Sequence, residues 1–335
     1  MTNEQINEIL LTGKFPERQC SAELVETHIS WVILCGRFVY KIKKPIHYSF
    51  LDFSTISQRK YYCEREVILN KRLTDDIYLG IEPVREEPNC FRIGDGGGDI
   101  VDYAVLMQKM DRNRQMDLLL IKGEVTEQDI HKLAARIAGF HKHTNIIGEK
   151  DYLDIQKKFT DLNEEKDFLK NTLGADSSSI ISHAMDASAR FNEANKNLLL
   201  KRLEAGYFRD CHGDLHSRNI FLLQSPQAFD CIEFNDDFRQ IDVLNEIAFL
   251  CMDMDAFGKK ELSDLFLDCY DQLFPTIRTA QDRKLFIYYK SYRANIRAKV
   301  NSLRARNAKS EDERKIAIFE TEKYLLLMQD YLQML

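Results

Sequence analysis

The stretch His212-Gly213-Asp214-Leu215-His216-Ser217-Arg218-Asn219 decides the reading of this chain, together with Ile232-Glu233-Phe234 fourteen residues beyond its Asn. It sets a carboxylate, an amide and a second carboxylate at the spacing of a phosphoryl-transfer loop. Such a loop needs an Asp to accept a hydroxyl proton and an Asn five residues later to hold a metal ion, and Asp214 and Asn219 have that separation. Outward from the loop, Phe221-Leu222-Leu223 reads as a short strand and Gln224-Ser225-Pro226-Gln227 as a turn. Residues 228–234 read as a second strand. A hairpin of that kind returns the Glu233 carboxylate toward Asp214.

The chain has 335 residues, enough for one large or two smaller domains with a substantial core. Hydrophobic residues make up 44% and charged residues 30%, the balance of a soluble globular protein. A net charge of −6 argues against a purely electrostatic nucleic-acid binder. The eight Cys contain no C-x-x-C pair, which speaks against a zinc site. Scattered free thiols, several inside apolar runs, fit a reducing cytoplasm. The polar start Met1-Thr2-Asn3-Glu4-Gln5 carries no signal peptide, and no apolar run approaches the length of a membrane span.

Residues 1–24 read as a short helix around Ile6, Ile9 and Leu10, then a loop. Residues 25–34 are rich in β-branched and aromatic side chains. Cys35-Gly36-Arg37 is a turn signal, and Phe38–Lys43 alternates as a strand, which makes an antiparallel pair. Ser54 can cap a helix running to about Leu73, with Ile56, Val67, Leu69 and Leu73 as core candidates. The tract Gly94-Asp95-Gly96-Gly97-Gly98-Asp99 separates strands at 90–93 and 100–107. After Met110 the chain turns helical. Thr126-Glu127-Gln128-Asp129 reads as a capping box, followed by Leu133, Ala134, Ile137, Ala138 and His141 at helical spacing. A second long helix covers about 179–205 and stops at Gly206. Residues 243–335 are again mostly helical, interrupted at Pro275.

The loop and its neighbours resemble the aminoglycoside-phosphotransferase-like family of small-molecule kinases, whose loop reads H-G-D-x-x-x-x-N and whose metal motif reads I-D-F or I-D-[LW]. This chain keeps the first and carries Glu233, one methylene longer, where the second has Asp. The resemblance is strongest over 25–110 and 205–250. It implies an α+β, two-lobed protein-kinase-like fold, with an antiparallel β-rich N-lobe at 1–110 and a mainly helical C-lobe at 111–335. The first lobe would bind nucleotide, and the second would carry the catalytic loop and acceptor site. It also implies an ATP- and Mg2+-dependent phosphotransferase acting on a hydroxyl of a small molecule, with Asp214 as the catalytic residue and Asn219 and Glu233 as metal ligands. Asp230 is the rival metal ligand.

Lys41 and Lys43 share one strand face with Val39. The family pattern favours Lys41 as the phosphate cation, with Lys43 as runner-up, and it favours Glu66 over Glu64 as the carboxylate that holds it. The chain has no G-x-G-x-x-G loop. The hydroxyl-rich turn Thr27-His28-Ile29-Ser30 offers Thr27 and Ser30 to phosphate instead. Ala104–Met110 reads as a strand running into a hinge, where Met107 and Lys109 would present backbone to adenine. By the family pattern His212 braces the loop, while His216 reads as core. Asp242 reads as an N-cap.

Residues 283–309 hold nine basic side chains and no acidic one. Lys290, Arg293, Arg297 and Arg304 fall on one helical stripe, and the first three are candidates to bind an anionic substrate or nucleotide phosphate. A nucleotide-binding regulator with little catalysis is a second reading. An atypical protein kinase is a third, disfavoured by the missing A-P-E segment.

Overall fold

In a computed structural model, which describes residues 1–17 and 21–335, internal contacts divide the chain into two units. One is Met1–Leu118 with Asn219–Phe238; the other is Leu119–Arg218 with Arg239–Leu335.

The first unit is built on a sheet. Helix α1 (Asn3–Thr12) opens on a Thr2–Gln5 capping box. Strands β1 (Ala22–Glu26), β2 (Ser30–Cys35) and β3 (Phe38–Lys43) follow as a meander, then a small hairpin of β4 (His47–Tyr48) and β5 (Leu51–Asp52). Helix α2 (Ile56–Asn70) precedes β6 (Tyr78–Glu87), β7 (Cys90–Ile93) and β8 (Asp99–Gln108). The sheet order is β1-β2-β3-β8-β6-β7, antiparallel throughout. Strand alternation gives β3 two faces. Tyr40 and Ile42 pack with Ile6 and Ile9 of α1. Val39 packs with Cys63 and Val67 of α2 and with Val105 and Met107 of β8. Lys41 and Lys43 share that second face.

Several local expectations shift. The cap of α2 is Thr55, paired with Gln58, not Ser54, and Ile56 at its start is exposed. Strand β6 escaped the sequence reading because Gly80 and Pro83 argue against a strand. It tolerates them through register irregularities at Tyr78/Gly80 and Val84/Arg85.

Past residue 115 the chain is helical: α3 (Met116–Lys122), α4 (Glu127–His143), α5 (Asp154–Phe159), α6 (Lys166–Leu173) and α7 (Ala175–Glu204). Thr126 and Asp129 form the expected capping box, and Leu133, Ala134, Ile137, Ala138 and His141 are buried. Gly206, at φ +76°, ends the α7 segment as only a residue without Cβ does easily. Strand β9 (Phe208–Asp210) then leads into the His212–Asn219 loop.

The loop is followed by the hairpin of β10 (Ile220–Phe221) and β11 (Gln227–Ala228), which clusters with the first unit. Its ladder is two residue pairs long. The second strand stops at Ala228 instead of reaching Phe234, and the backbone turns at Asp230 into the left-handed region (φ +64°). After α8 (Asp236–Arg239), strand β12 (Gln240–Asp242) pairs with β9. Helices α9 (Val243–Ala256), α10 (Lys260–Leu273), α11 (Ala280–Arg306) and α12 (Glu311–Gln333) complete the second unit. Helix α9 is buried on every side from Val243 to Met254, as its near-continuous apolar sequence requires. Among the described residues no helix is long and apolar enough to cross a membrane.

A buried ionic network ties the second unit together. Arg202 of α7 holds Asp242 through two bonds (2.6 and 2.9 Å), Asp282 (2.8 Å) and the Thr276 carbonyl (2.8 Å). Asp242 in turn caps α9 through the Leu244 N–H (2.8 Å), and Asp282 closes the capping box of α11. Replacing one member of such a network strands the others without countercharge. Arg202→Met is therefore expected to cost about 3–5 kcal/mol of unfolding free energy in urea titration. A loss below about 1 kcal/mol would show that the network contributes little.

Candidate functional site

Two groups of polar side chains stand out, one in each unit. The first lies on the α2 side of the β-sheet. Lys41 Nζ reaches Glu66 Oε1 (2.8 Å) and Asp230 Oδ1 (2.6 Å). Lys43 Nζ reaches the other Glu66 oxygen (2.6 Å) and also bonds Glu233 Oε1. Strand alternation places both lysines on one face, and α2 lowers Glu66 between them. Glu64 is exposed and pairs with Lys60 on the surface, so only Glu66 serves the cluster. Burial disfavours the Lys41 and Lys43 ammoniums, but the surrounding carboxylates raise both above the usual lysine value. Burial likewise opposes ionisation of Glu66, yet Lys41 and Lys43 hold its carboxyl well below the usual range. Glu233 goes the other way. Burial pushes it up, Lys43 offsets this only in part, and the nearby Glu66 adds to the rise. Three carboxylates thus share two ammoniums, a setting that favours an additional cation.

The two rival carboxylates differ in access. Glu233 is 4% exposed and points at Lys43. The Asp230 side chain is 45% exposed. The Asp230 N–H donates to the Tyr78 hydroxyl (3.1 Å), and the next N–H, of Cys231, donates to Asn70 Oδ1 (2.8 Å). Asn70 also donates to the Glu66 carbonyl (2.8 Å), so α2 carries both the lysine partner and the hairpin anchor. The hairpin register brings the Phe229 N–H onto the Asn219 carbonyl (2.9 Å), which sets Asn219 beside the start of the Asp230 turn. Asn70 and Tyr78 carry no sequence motif, so no local pattern marks them.

The turn and hinge residues are more committed than expected. Thr27 closes its own turn: its hydroxyl donates to the Ser30 carbonyl (3.0 Å) and accepts from the Ser30 N–H (2.9 Å). Ser30 is opposite Lys43 in the β2–β3 register, and its hydroxyl is buried with no hydrogen-bond partner among the described residues. Met107 is a core residue of the α2 face. The Lys109 N–H is spent on the Arg37 carbonyl (2.8 Å).

The second group surrounds the loop. Asp214 is half-buried, with Oδ2 3.3 Å from His216 Nε2, and its N–H donates to His212 Nδ1 (3.2 Å). Burial would raise the Asp214 carboxyl, but His216, His212 and Arg297 together hold it far below the usual value. His212 braces the loop as expected. His216 packs on Phe249 yet also faces Asp214, so it is a core residue with one polar edge in use. Glu246 of α9 accepts the N–H groups of His212 (2.6 Å) and Gly213 (3.0 Å). Asp253, two turns further along the same face of α9, accepts the Ser217 N–H (2.8 Å) and hydroxyl.

The basic stripe of α11 divides. Lys290 is buried on Asp255, between the Phe286 and Tyr331 rings. Arg293 donates to Asn245 Oδ1 (2.7 Å) and the Gly213 carbonyl (3.1 Å), bracing the loop from below. Arg297 alone of the three reaches neither a carboxylate nor a loop carbonyl among the described residues, and lies over the Tyr324 ring. His141, Cys211 and Glu246 bring ligand atoms within 4.8 Å of one another. His141 Nδ1 bonds the Tyr270 hydroxyl (2.7 Å), Cys211 Sγ contacts the Ile241 carbonyl (3.6 Å) and Glu246 holds the loop, so the cluster reads as structural bracing. Among the described residues the free thiols are Cys63, Cys90, Cys211, Cys231, Cys251 and Cys269; Cys35, expected to be free, is disulfide-bonded. Cys20 lies outside the described residues.

No protein-family model matches the chain. It is 29% identical over 314 residues to an uncharacterized protein of Mycobacterium bovis and, to the same extent, to one of Mycobacterium tuberculosis. The match covers 92% of this chain and 59% of each relative, so the chain spans about three fifths of their length. Among solved structures, a choline kinase from Cryptosporidium parvum has a TM-score of 0.52 at 13% identity, covering 94% of this chain and 88% of that one. An ethanolamine kinase from Plasmodium vivax has a TM-score of 0.49 at 13% identity, covering 92% of this chain and 83% of that one. The likeness to the choline kinase is one of fold. The chain has a kinase-like α+β fold, with an antiparallel β-rich unit and a mainly helical unit.

Burial pushes the Glu246 carboxyl up to about 7, despite Arg293 and the loop N–H groups. The folded protein therefore holds this proton more tightly than the unfolded chain. Its contribution to stability is fully present below the ordinary value of 4.5 and is lost as pH rises toward about 7. Glu246→Gln, which cannot ionise, is expected to flatten the fall in thermal stability between pH 5 and pH 7.5 roughly. Identical pH–stability curves for the two proteins would contradict the assignment.

Proposed function

We propose that the protein is an ATP-dependent phosphotransferase that moves the γ-phosphoryl group to a hydroxyl of a small molecule. One observation carries this reading: the Lys41 ammonium is held between the Glu66 carboxylate of a helix and the half-exposed Asp230 carboxylate at the base of a hairpin. A strand lysine fixed by a helix glutamate is the way kinases hold a cation for nucleotide phosphates. The Asp214–Asn219 spacing and the fold shared with the choline kinase support the same conclusion.

On this reading the first unit serves the nucleotide. Lys41 binds phosphate oxygens, and Glu66 keeps it charged and oriented. The Asn219 amide and the Asp230 carboxylate are the hard oxygen donors that Mg2+ prefers. Asp230 takes the role first given to Glu233, because Glu233 is buried on Lys43 while Asp230 has access to solvent. A bound Mg2+ would neutralise charge on the phosphates. Glu233 and Lys43 hold Glu66 from behind.

The second unit serves the acceptor. Asp214, held ionised by His216 and His212, orients the hydroxyl and takes its proton. The acceptor oxygen forms its bond to the γ-phosphorus as the bond to the bridging oxygen breaks, and ADP leaves. Glu246, Arg293 and Asp253 keep the loop in place through its backbone and Ser217. Most of the rate would come from positioning and charge neutralisation.

The test is transfer of labelled γ-phosphate from Mg-ATP into a pooled small-molecule metabolite extract. Asp214→Asn is expected to lose at least about 100-fold of the wild-type transfer rate while keeping nucleotide affinity. Transfer at the wild-type rate by Asp214→Asn, or label appearing on protein instead of a small molecule, would overturn the reading.

A further inference from the structure

Arg297 is the member of the α11 stripe that the protein leaves unfinished. One turn earlier, Arg293 spends its donors on Asn245 and on the carbonyl of Gly213, the residue before Asp214. Residues four apart lie on one helix face, so Arg297 extends this row alongside the loop that carries Asp214. Its guanidinium carbon sits 5.5 Å from the centroid of the Tyr324 ring. The Tyr324 hydroxyl reaches Asp253 Oδ1 (3.5 Å), and Asp253 Oδ2 holds Ser217 three residues after Asp214. Arg297 is thus placed from both sides against the Asp214–Ser217 stretch.

Its chemistry there is incomplete. Arg297 Nε is buried and has no hydrogen-bond partner among the described residues, although the residue as a whole retains some exposure. Arg202, buried in the same unit, is given two carboxylates, whereas Arg297 receives none. A buried donor without a partner bears its full desolvation cost, and such atoms call for a ligand or water. Burial disfavours its charge; Tyr324, whose side chain is hydrogen-bonded to it, and the Asp253 and Asp214 carboxylates offset this, neither carboxylate forming an ion pair with it. Asp253 is occupied by Ser217. A planar guanidinium matches a carboxylate or phosphate through two parallel bonds.

We infer that Arg297 is a binding residue for an anionic group, carboxylate or phosphate, carried by the same small molecule whose hydroxyl faces Asp214. This names the acceptor class of the phosphotransferase reading and rests on that reading. The acceptor is then a hydroxylated anion, not a cation: the buried guanidinium donor of Arg297 attracts an anionic group and repels an ammonium. Tyr324 supports the guanidinium through its ring at cation–π distance and through a side-chain hydrogen bond, leaving Nε without a partner among the described residues.

The experiment measures binding by calorimetry of four probes to the full chain: D-glycerate, glycerol 3-phosphate, glycerol and choline. Each is titrated with and without Mg-ADP, into wild type, Arg297→Gln and Arg297→Lys, and Mg-ATP affinity is measured in parallel. The two anions are expected to bind wild type more tightly than glycerol or choline, with Mg-ADP present or absent. Arg297→Gln should weaken them by about tenfold or more, with Mg-ATP affinity and melting temperature retained. Arg297→Lys, which keeps the charge and loses the fork, should fall between and serves if the Gln variant is unfolded.

Choline or glycerol binding as well as the anions would overturn the proposal. So would wild-type anion affinity in Arg297→Gln, or the absence of anion binding to wild type. Anion binding abolished by Mg-ADP, or Mg-ATP affinity lost in Arg297→Gln, would assign the anion to the nucleotide and also overturn it. Anion binding through Arg297 in a protein that binds no Mg-ATP would sink the phosphotransferase reading and leave the anion site standing.

Discussion

The buried carboxylate of Glu66 is the constraint on which the first unit turns. A fully buried carboxylate is tolerable only with countercharge and hydrogen bonds, and here each of its oxygens receives a lysine ammonium from the same strand. The sheet must therefore present Lys41 and Lys43 on one face, and α2 must lie at the height that brings Glu66 between them. The hairpin after the loop must then supply Asp230 and Glu233 to the far sides of the two ammoniums. Asn70, one turn after Glu66, fixes the hairpin backbone to the same helix. Strand, helix and hairpin are held in register by charge pairing that none of them could satisfy alone.

The two ends of this cluster differ in what they can do. At the Lys43–Glu233 end the charges are sealed, and the pair can only brace. At the Lys41–Asp230 end the side chains meet solvent, and the excess of carboxylate over ammonium remains available to a cation. A comparable division runs through the second unit. Arg202, Lys290 and Arg293 are consumed by internal carboxylates and carbonyls, while Arg297 keeps an unmet donor beside the loop. Residues of one type at regular spacing thus differ in whether their donors are met, according to what packs around them.

Much of this was legible in the sequence. The H-G-D-x-x-x-x-N loop, the alternation of Phe38–Lys43 and the capping box at Thr126 each depend on local spacing, and local spacing is what a sequence displays. The kinase-like fold followed from their order. The parts that were not legible depend on long-range partners. The sequence offers Lys41 and Lys43 as alternatives, whereas both lysines bond Glu66, one at each carboxylate oxygen. Glu233 fitted the frame of a metal motif, but the strand stops at Ala228, the backbone turns left-handed at Asp230 and Glu233 points inward, and no periodicity announces that turn. Strand β6 was hidden by Gly80 and Pro83. The α11 stripe looked uniform because a helical wheel shows which face a residue occupies and not which neighbour already fills its donors.

In the proposed function the first-unit cluster seats a metal-bound nucleotide, and calorimetric titration of Mg-ATP tests this most directly. The wild type should bind, Lys41→Met should bind weakly, and Asp230→Asn should lose the dependence on Mg2+. Glu233→Gln, once shown to be folded, should keep that dependence. Failure of the wild type to bind Mg-ATP, or a Mg2+ dependence lost with Glu233→Gln and kept with Asp230→Asn, would contradict it.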